Sequence, residues 1–492
     1  MAGTVAQPAR VELVRGLGLL DATMIVMGSM IGSGIFIVSA DIARQVSSPG
    51  LLIMVWVATG VITVMGALSY GELSAAMPQA GGQYVFLREA FGPLPSFLYG
   101  WAMFVVIQTG TIAAVAVAFA KFLGVFVPGI AESNVLLPLG RIPFTDRPLL
   151  LTTQNLVAIV SILLLTAINC RGLRAGAFVQ NLFTITKTGA LAALIVLGCF
   201  LMRRPEAIAA NFTDFWRGAD WSLVTAQLVG VAMVGSLFAS DAWNNITFTA
   251  AEVRNPERDV PRAMALGTVA VSLFYLLANF AYLAVLPLAG IQNAAEDRVG
   301  SAAGAAMFGP TGLYLLAAAI LISTFGCNNG LVLAGARIYY AMAKDGLFFR
   351  RAAELNPRFH TPNAALIAQG IWTCILTLGG TYSQLLDYCM FSVLIFYVIT
   401  IAGLFVLRLT RPQMKRPYKA WGYPVIPAAY MFLVGYVSLV IYLYKPAGDL
   451  GWRRLVEGDA ARGLLLVLLG IPVYYVWRRL QSRNAVPGRV RF

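Results

Sequence analysis

The chain carries 492 residues, 59% of them hydrophobic and 12% charged, with a mean hydropathy of +0.75. Those values exclude an ordinary soluble domain and a disordered chain, and they describe an integral membrane protein. The net charge of +14 follows from where the basic residues fall relative to a bilayer with anionic headgroups, without a nucleic-acid partner.

Apolar stretches long enough to cross a ~30 Å hydrocarbon core as a helix recur along the chain. They are continuous rather than alternating, so the expected fold class is an all-α membrane protein, not a barrel. Twelve spans are expected, at 18–47, 51–77, 95–124, 151–169, 178–201, 222–251, 263–287, 309–342, 364–380, 384–408, 424–444 and 462–479. Residues 1–17 precede them as a terminal segment, a ten-helix core fills 18–408, and two further helices with a basic tail fill 409–492. With the amino terminus placed inside, 23 Lys and Arg fall on the cytoplasmic side, 12 outside and one, Lys187, within a span. This bias places both termini in the cytoplasm of a cell-membrane protein. The first span lacks a small-residue cleavage site, so a removable signal peptide is not expected.

The first span contains "MIVMGSMIGSGIF", Met24 to Phe36, with three glycines within seven residues. Each costs about 1 kcal/mol relative to Ala inside a helix, so the span is expected to unwind near its middle. Backbone groups freed there cannot stay unmet in a membrane; they must face protein, water or a ligand. One half-helix ends on carbonyls and the next begins with N–H groups and the positive end of its dipole. Such a socket suits a molecule bearing an ammonium and a carboxylate on one carbon.

The fifth span carries Lys187 in its middle, where insertion costs roughly 2.5 to 3.5 kcal/mol. The sixth contains "GSLFASDAWNNITF", Gly235 to Phe248, which sets Ser, Asp and Asn into an apolar run. A break there, five spans after the first, is what two inverted five-helix halves, about 18–201 and 222–408, require. Close packing of small residues is the competing explanation for the glycines alone.

"MGSMIGSGIF" and "FASDAWNNITFTAAEVRNPERDVPRA", with "MPQAGGQYVFLREAFG", "NNGLVLAGARIYYAMAKDGLFF" and "HTPNAALIA" in that order, resemble the amino acid–polyamine–organocation transporters, and among them the L-type amino acid transporters. The resemblance covers about residues 15 to 410. It implies the leucine-transporter arrangement, a 5+5 inverted repeat with discontinuous helices 1 and 6 plus two C-terminal helices. It also implies that Gly32, Ser33 and Gly34 offer N–H groups to a substrate carboxylate. The carbonyls of Met30 or Ile31 and of Phe238, Ala239 and Asp241 would receive the ammonium, Phe238 would close as an aromatic lid, and Trp243 and Asn244 would shape the pocket. Lys187, together with Ser323 and Thr324, would stand where sodium-coupled relatives hold a cation, near Gly28.

The function so implied is sodium-independent exchange of neutral L-amino acids by alternating access. Coupling to protons, through Lys187 or Asp241 and with cationic substrates, is the alternative. Asp241 departs from the L-type pattern, which has a small residue there; it pairs locally, lines a hydrated vestibule, or meets the substrate. Glu72 is expected to make a polar contact near the cytoplasmic face, and His360 to lie in a cytoplasmic loop. The chain has one His, five cysteines in or beside spans and no Gly-x-x-x-x-Gly-Lys-Ser/Thr. Enzyme chemistry, a metal, a cofactor and direct ATP drive are therefore not expected. The loop 125–150 contains no Cys, so no disulfide-linked heavy subunit is expected; amino acid and membrane lipid are the expected partners.

Overall fold

The computed structural model describes residues 13, 15–141, 148–379, 382–443 and 459–484. Among them, nine helices are long and apolar enough to cross a membrane, and a tenth span is a bent pair, α1 (Leu19–Met30) and α2 (Gly34–Val46), whose axes differ by 41°. Two of the expected spans fall instead on shorter apolar helices, α9 (Leu223–Ala239) and α14 (Asn363–Thr377). The remaining elements that position the site are α3 (Pro49–Ala76), α4 (Gln83–Phe91), α5 (Pro93–Leu123), α6 (Thr153–Cys170) and α7 (Leu173–Val196). With them come α8 (Pro205–Phe212), α10 (Asn245–Phe248), α11 (Pro256–Val285), α12 (Leu288–Gln292), α13 (Val299–Lys344) and α15 (Tyr382–Thr410).

Three local departures from regular helix follow from sequence. Helix α13 begins ten residues before the expected span and bends at Gly309 (φ 62°, ψ −150°), ahead of Pro310, which cannot donate to the preceding turn. Helix α5 contains a wide π turn over Met103–Ile107. Its displaced carbonyls are met from neighbours: Tyr339 Oη donates to Met103 O (3.1 Å), Trp372 Nε1 to Val105 O (3.0 Å) and Cys389 Sγ to Val106 O (3.2 Å). The third corrects the all-helical expectation. Val135–Arg141 and Pro148–Thr152 form a two-stranded antiparallel hairpin, β1 and β2, between α5 and α6. Pro138 and Gly140 disfavour helix in that run.

Ion pairs knit the end of the bundle where α1 begins. Glu72 on α3 is buried, accepts from Arg408 (2.9 and 2.5 Å) and from the Ala420 amide (2.7 Å), and lies 3.2 Å from Arg416. Glu252 pairs with Arg337 of α13 at 3.0 Å, and Glu257 with Lys415 at 3.0 Å. Backbone bonds from Gly16 N and Leu17 N to Glu252 O, and from Arg254 N to Leu17 O, add a short parallel bridge there. At the opposite end Arg44 reaches Asp297 and the Gln292 carbonyl, each at 2.8 Å.

Candidate functional site

Helix α1 stops at Met30 because Ile31 takes extended geometry (φ −73°, ψ 91°), and α2 resumes only at Gly34. Helix α9 stops at Ala239; the chain then turns through Ala242, a non-glycine residue at φ +66°, before the single turn of α10. A left-handed conformation costs an L-residue roughly 1–2 kcal/mol, so surrounding packing holds this turn open. The two breaks touch. A Cβ built on Gly34 would stand 2.5 Å from Ala239 Cβ, and one on Gly32 would stand 2.9 Å from Cys327 Sγ. Glycine is thus required here for contact between the breaks as well as for unwinding.

Lys187 of α7 lies inside the first break. It is 1% exposed, and its ammonium donates to Gly28 O and to Ile31 O, the latter at 2.6 Å. Ser323 of α13 donates to Ile31 O and Gly32 O, each at 3.3 Å, while Cys327 Sγ reaches Ser29 O at 3.0 Å. Carbonyls released by unwinding are therefore met by one ammonium, one hydroxyl and one thiol. Thr324 is beside them in sequence but bonds Ile320 O and Leu321 O of its own helix.

A residue outside the sequence expectation joins the two breaks. The Tyr275 hydroxyl of α11 is 2.8 Å from Met30 O and 3.0 Å from Ala239 O, and its single proton serves both. One turn on, Asn279 accepts from Ser39, and Tyr282 donates to Ile35 O. The signal was in the sequence: Tyr275, Asn279 and Tyr282 repeat at i, i+4 and i+7, one polar stripe on an otherwise apolar helix.

Two cavities meet at the breaks. One is lined by Met30, Gly32, Ser33, Gly34, Phe238, Ala239, Asp241 and Cys327 among others. The second is lined by Gln83, Gln108, Asn244, Asn245 and Tyr397 among others. Both include Thr111, Asp241, Ala242 and Leu331. Asp241 accepts from Tyr397 Oη at 2.5 Å, and Asn244 Nδ2 donates to Gln83 Oε1 at 3.0 Å. Buried Ser29 Oγ and Asn245 Nδ2 have no hydrogen-bond partner among the described residues, and each belongs to a cavity wall.

Of the expected residues, Ile31 and Trp243 line neither cavity. Ile31 turns its carbonyl to Lys187 and Ser323. Trp243 is 2% exposed and packs edge-on against Tyr70, with centroids 4.8 Å apart, so it backs the wall rather than forming it. The Phe238 carbonyl accepts from the Ser240 and Asp241 amides.

The sequence profile of a family described as amino acid permease matches residues 17–454. The chain is 28% identical over 477 residues to the human b(0,+)-type amino acid transporter 1, covering 96% of this chain and 89% of the relative. It is 30% identical over 474 residues to the rat large neutral amino acids transporter small subunit 2, covering 95% and 81%. The matching human protein of the latter name is also 30% identical, over 472 residues.

Proposed function

The chain belongs to the amino acid permease family, and on that premise we propose that it exchanges neutral L-amino acids across the cell membrane without sodium. The position of Lys187 carries this reading. Its ammonium occupies the carbonyl cluster of the first break, so a fixed positive charge stands where a diffusible coupling cation would otherwise be needed. The substrate carboxylate is taken up at the start of α2, where Ser33 and Gly34 line the first cavity, and the ammonium faces the carbonyls of Met30 and Ala239. Their remaining lone pairs lie beside the Tyr275 bonds.

Transport proceeds by alternating access in a twelve-span, 5+5 arrangement, with the discontinuous pair α1–α2 and the α9–α10 region moving about the socket. Both termini are cytoplasmic. The chain acts without a disulfide-linked subunit, because loop 125–150 has no Cys. The supporting experiment is counterflow in proteoliposomes. Labelled neutral amino acid should enter only against internal amino acid, at a rate unchanged by replacing sodium with choline or by collapsing a pH gradient. Dependence on the pH gradient would instead establish proton coupling.

A second reading rests on Asp241, the sole acidic residue lining either cavity among the described residues. A carboxylate at their junction can receive a cationic side chain extending from the first cavity into the second. A competition panel of the standard amino acids separates the readings: strong inhibition by lysine or arginine favours the second.

A further inference from the structure

We propose that the β1–β2 hairpin is an interfacial anchor that lies in the headgroup region of the bilayer and holds the α5–α6 end of the bundle against the lipid surface. The sequence of β1, "VLLPLGR", is apolar at consecutive rather than alternate positions, so neither face of the ribbon is suited to water. Val135, Leu136, Leu137 and Leu139 are 47, 51, 51 and 42% exposed. An isolated two-stranded hairpin is marginal in water, and such an exposed apolar ribbon needs something to cover it.

Its attachment identifies the cover as lipid. No slack joins the hairpin to α6: Thr152 caps the helix by accepting from Asn155 N (3.1 Å), and Asn155 Nδ2 returns to Leu150 O (3.1 Å). Thr153 Oγ1 holds the preceding loop through Gly129 O (2.8 Å) and Ala131 O (3.1 Å). Outward-facing apolar residues of α6 begin at Leu156 and continue through Val160, Leu163 and Leu164, 44 to 58% exposed. Leu156 is four residues beyond Thr152, roughly 6 Å along the helix at 1.5 Å per residue. That is about the depth of one headgroup layer. The ribbon therefore continues the lipid-facing surface of a membrane-spanning helix.

The open edges fix how deep it goes. Two strands leave unpaired N–H and C=O groups that hydrocarbon cannot satisfy, so the ribbon stays at the level where water still reaches it. Those edges are poorly made for pairing with a second copy of the chain: Pro138 lacks a donor, and the register slips between Val135 and Leu137 and again between Pro138 and Gly140.

The test places a genetically encoded environment-sensitive fluorophore at position 137 of the full chain, and separately at exposed position 132 as the water-facing control. Vesicles contain phosphatidylethanolamine and phosphatidylglycerol, with phospholipid brominated high on the acyl chain as the lipid quencher and iodide as the aqueous one. The expected result is bromolipid quenching several-fold stronger at 137 than at 132, with the reverse order for iodide. A fluorophore at position 139 gives the same reading should position 137 not tolerate it. Iodide quenching at 137 equal to that at 132, without bromolipid quenching, overturns the anchor. So does shielding from both quenchers, which marks a protein cover; cross-linking from position 137 into dimers would then identify that cover as a second copy of the chain.

Discussion

Glu252 and Arg337 face each other at 3.0 Å with each side chain only 1% exposed. The pair binds the segment after the second break to α13, and the same Glu252 supplies the carbonyl that receives Gly16 N and Leu17 N. Removing one partner of a buried ion pair leaves an uncompensated charge and costs about 3–5 kcal/mol. Glu252→Gln should therefore lower the thermal midpoint strongly in detergent. A double-mutant cycle with Arg337→Gln should show coupling between the two positions; additive effects would mean the pair contributes no joint stabilisation.

Tyr275→Phe removes the hydroxyl shared by the two breaks and leaves Met30 O and Ala239 O short of a donor. Stability should fall by about 1–3 kcal/mol, the cost of an unmet buried polar group. Amino acid uptake should fall with it, because the breaks lose their common tether. Unfolding midpoints and initial uptake rates measured on the same preparation check both.

Gly34→Ala should abolish uptake, since the new methyl would meet Ala239 Cβ at 2.5 Å on a backbone that cannot retreat. Ala239→Gly should restore part of it by clearing that contact. Gly32→Ala should be milder, because its obstacle is the terminal Sγ of Cys327 at 2.9 Å, which can swing aside. Equal loss at both positions would refute this ordering.

Lys187→Met should reduce exchange by an order of magnitude or more. Hydrogen bonds to a charged group contribute about 1.5–3 kcal/mol each, and this ammonium makes two. Lys187→Arg is not expected to rescue, as a planar guanidinium cannot replace a compact ammonium between Gly28 O and Ile31 O. Uptake assays of the two variants, corrected for the amount of protein inserted, decide it.

Asp241→Asn preserves an acceptor for Tyr397 while removing the charge. Neutral uptake should persist at a reduced rate, and any inhibition by lysine or arginine should disappear. The competition panel repeated on the variant measures this directly.

The broken spans were legible because their signal is local: glycine spacing in one and polar residues inside an apolar run in the other. Lys187 was legible because a lone charge at mid-span demands partners, and its partners are the carbonyls the glycines release. Tyr275 was overlooked although its helix shows a polar stripe at i, i+4 and i+7, because a tyrosine in a membrane helix also serves as ordinary packing. Gln83, Thr111 and Tyr397 reach the cavities from three separate elements, and no single window of sequence holds that convergence. The Trp243 side chain illustrates the opposite case: its motif marks the neighbourhood, but tertiary packing against Tyr70 decides which way the ring faces. The hairpin falls almost wholly in the loop 125–150, between two expected spans, and its strands went unread because they lack the alternation of apolar and polar residues that marks a strand.

The wide turn at Met103–Ile107 sets the aim of everything that follows it in α5. Such a turn spends one residue more than a regular turn, and each residue in an α-helix rotates the chain by about 100°. Gln108 and Thr111 reach the cavity walls with that extra rotation already built in. Deleting one residue from the turn would give a straighter, better-bonded helix that points both side chains elsewhere. The irregularity is thus a phase correction, keeping the polar face of a long span in step with a socket formed by other helices.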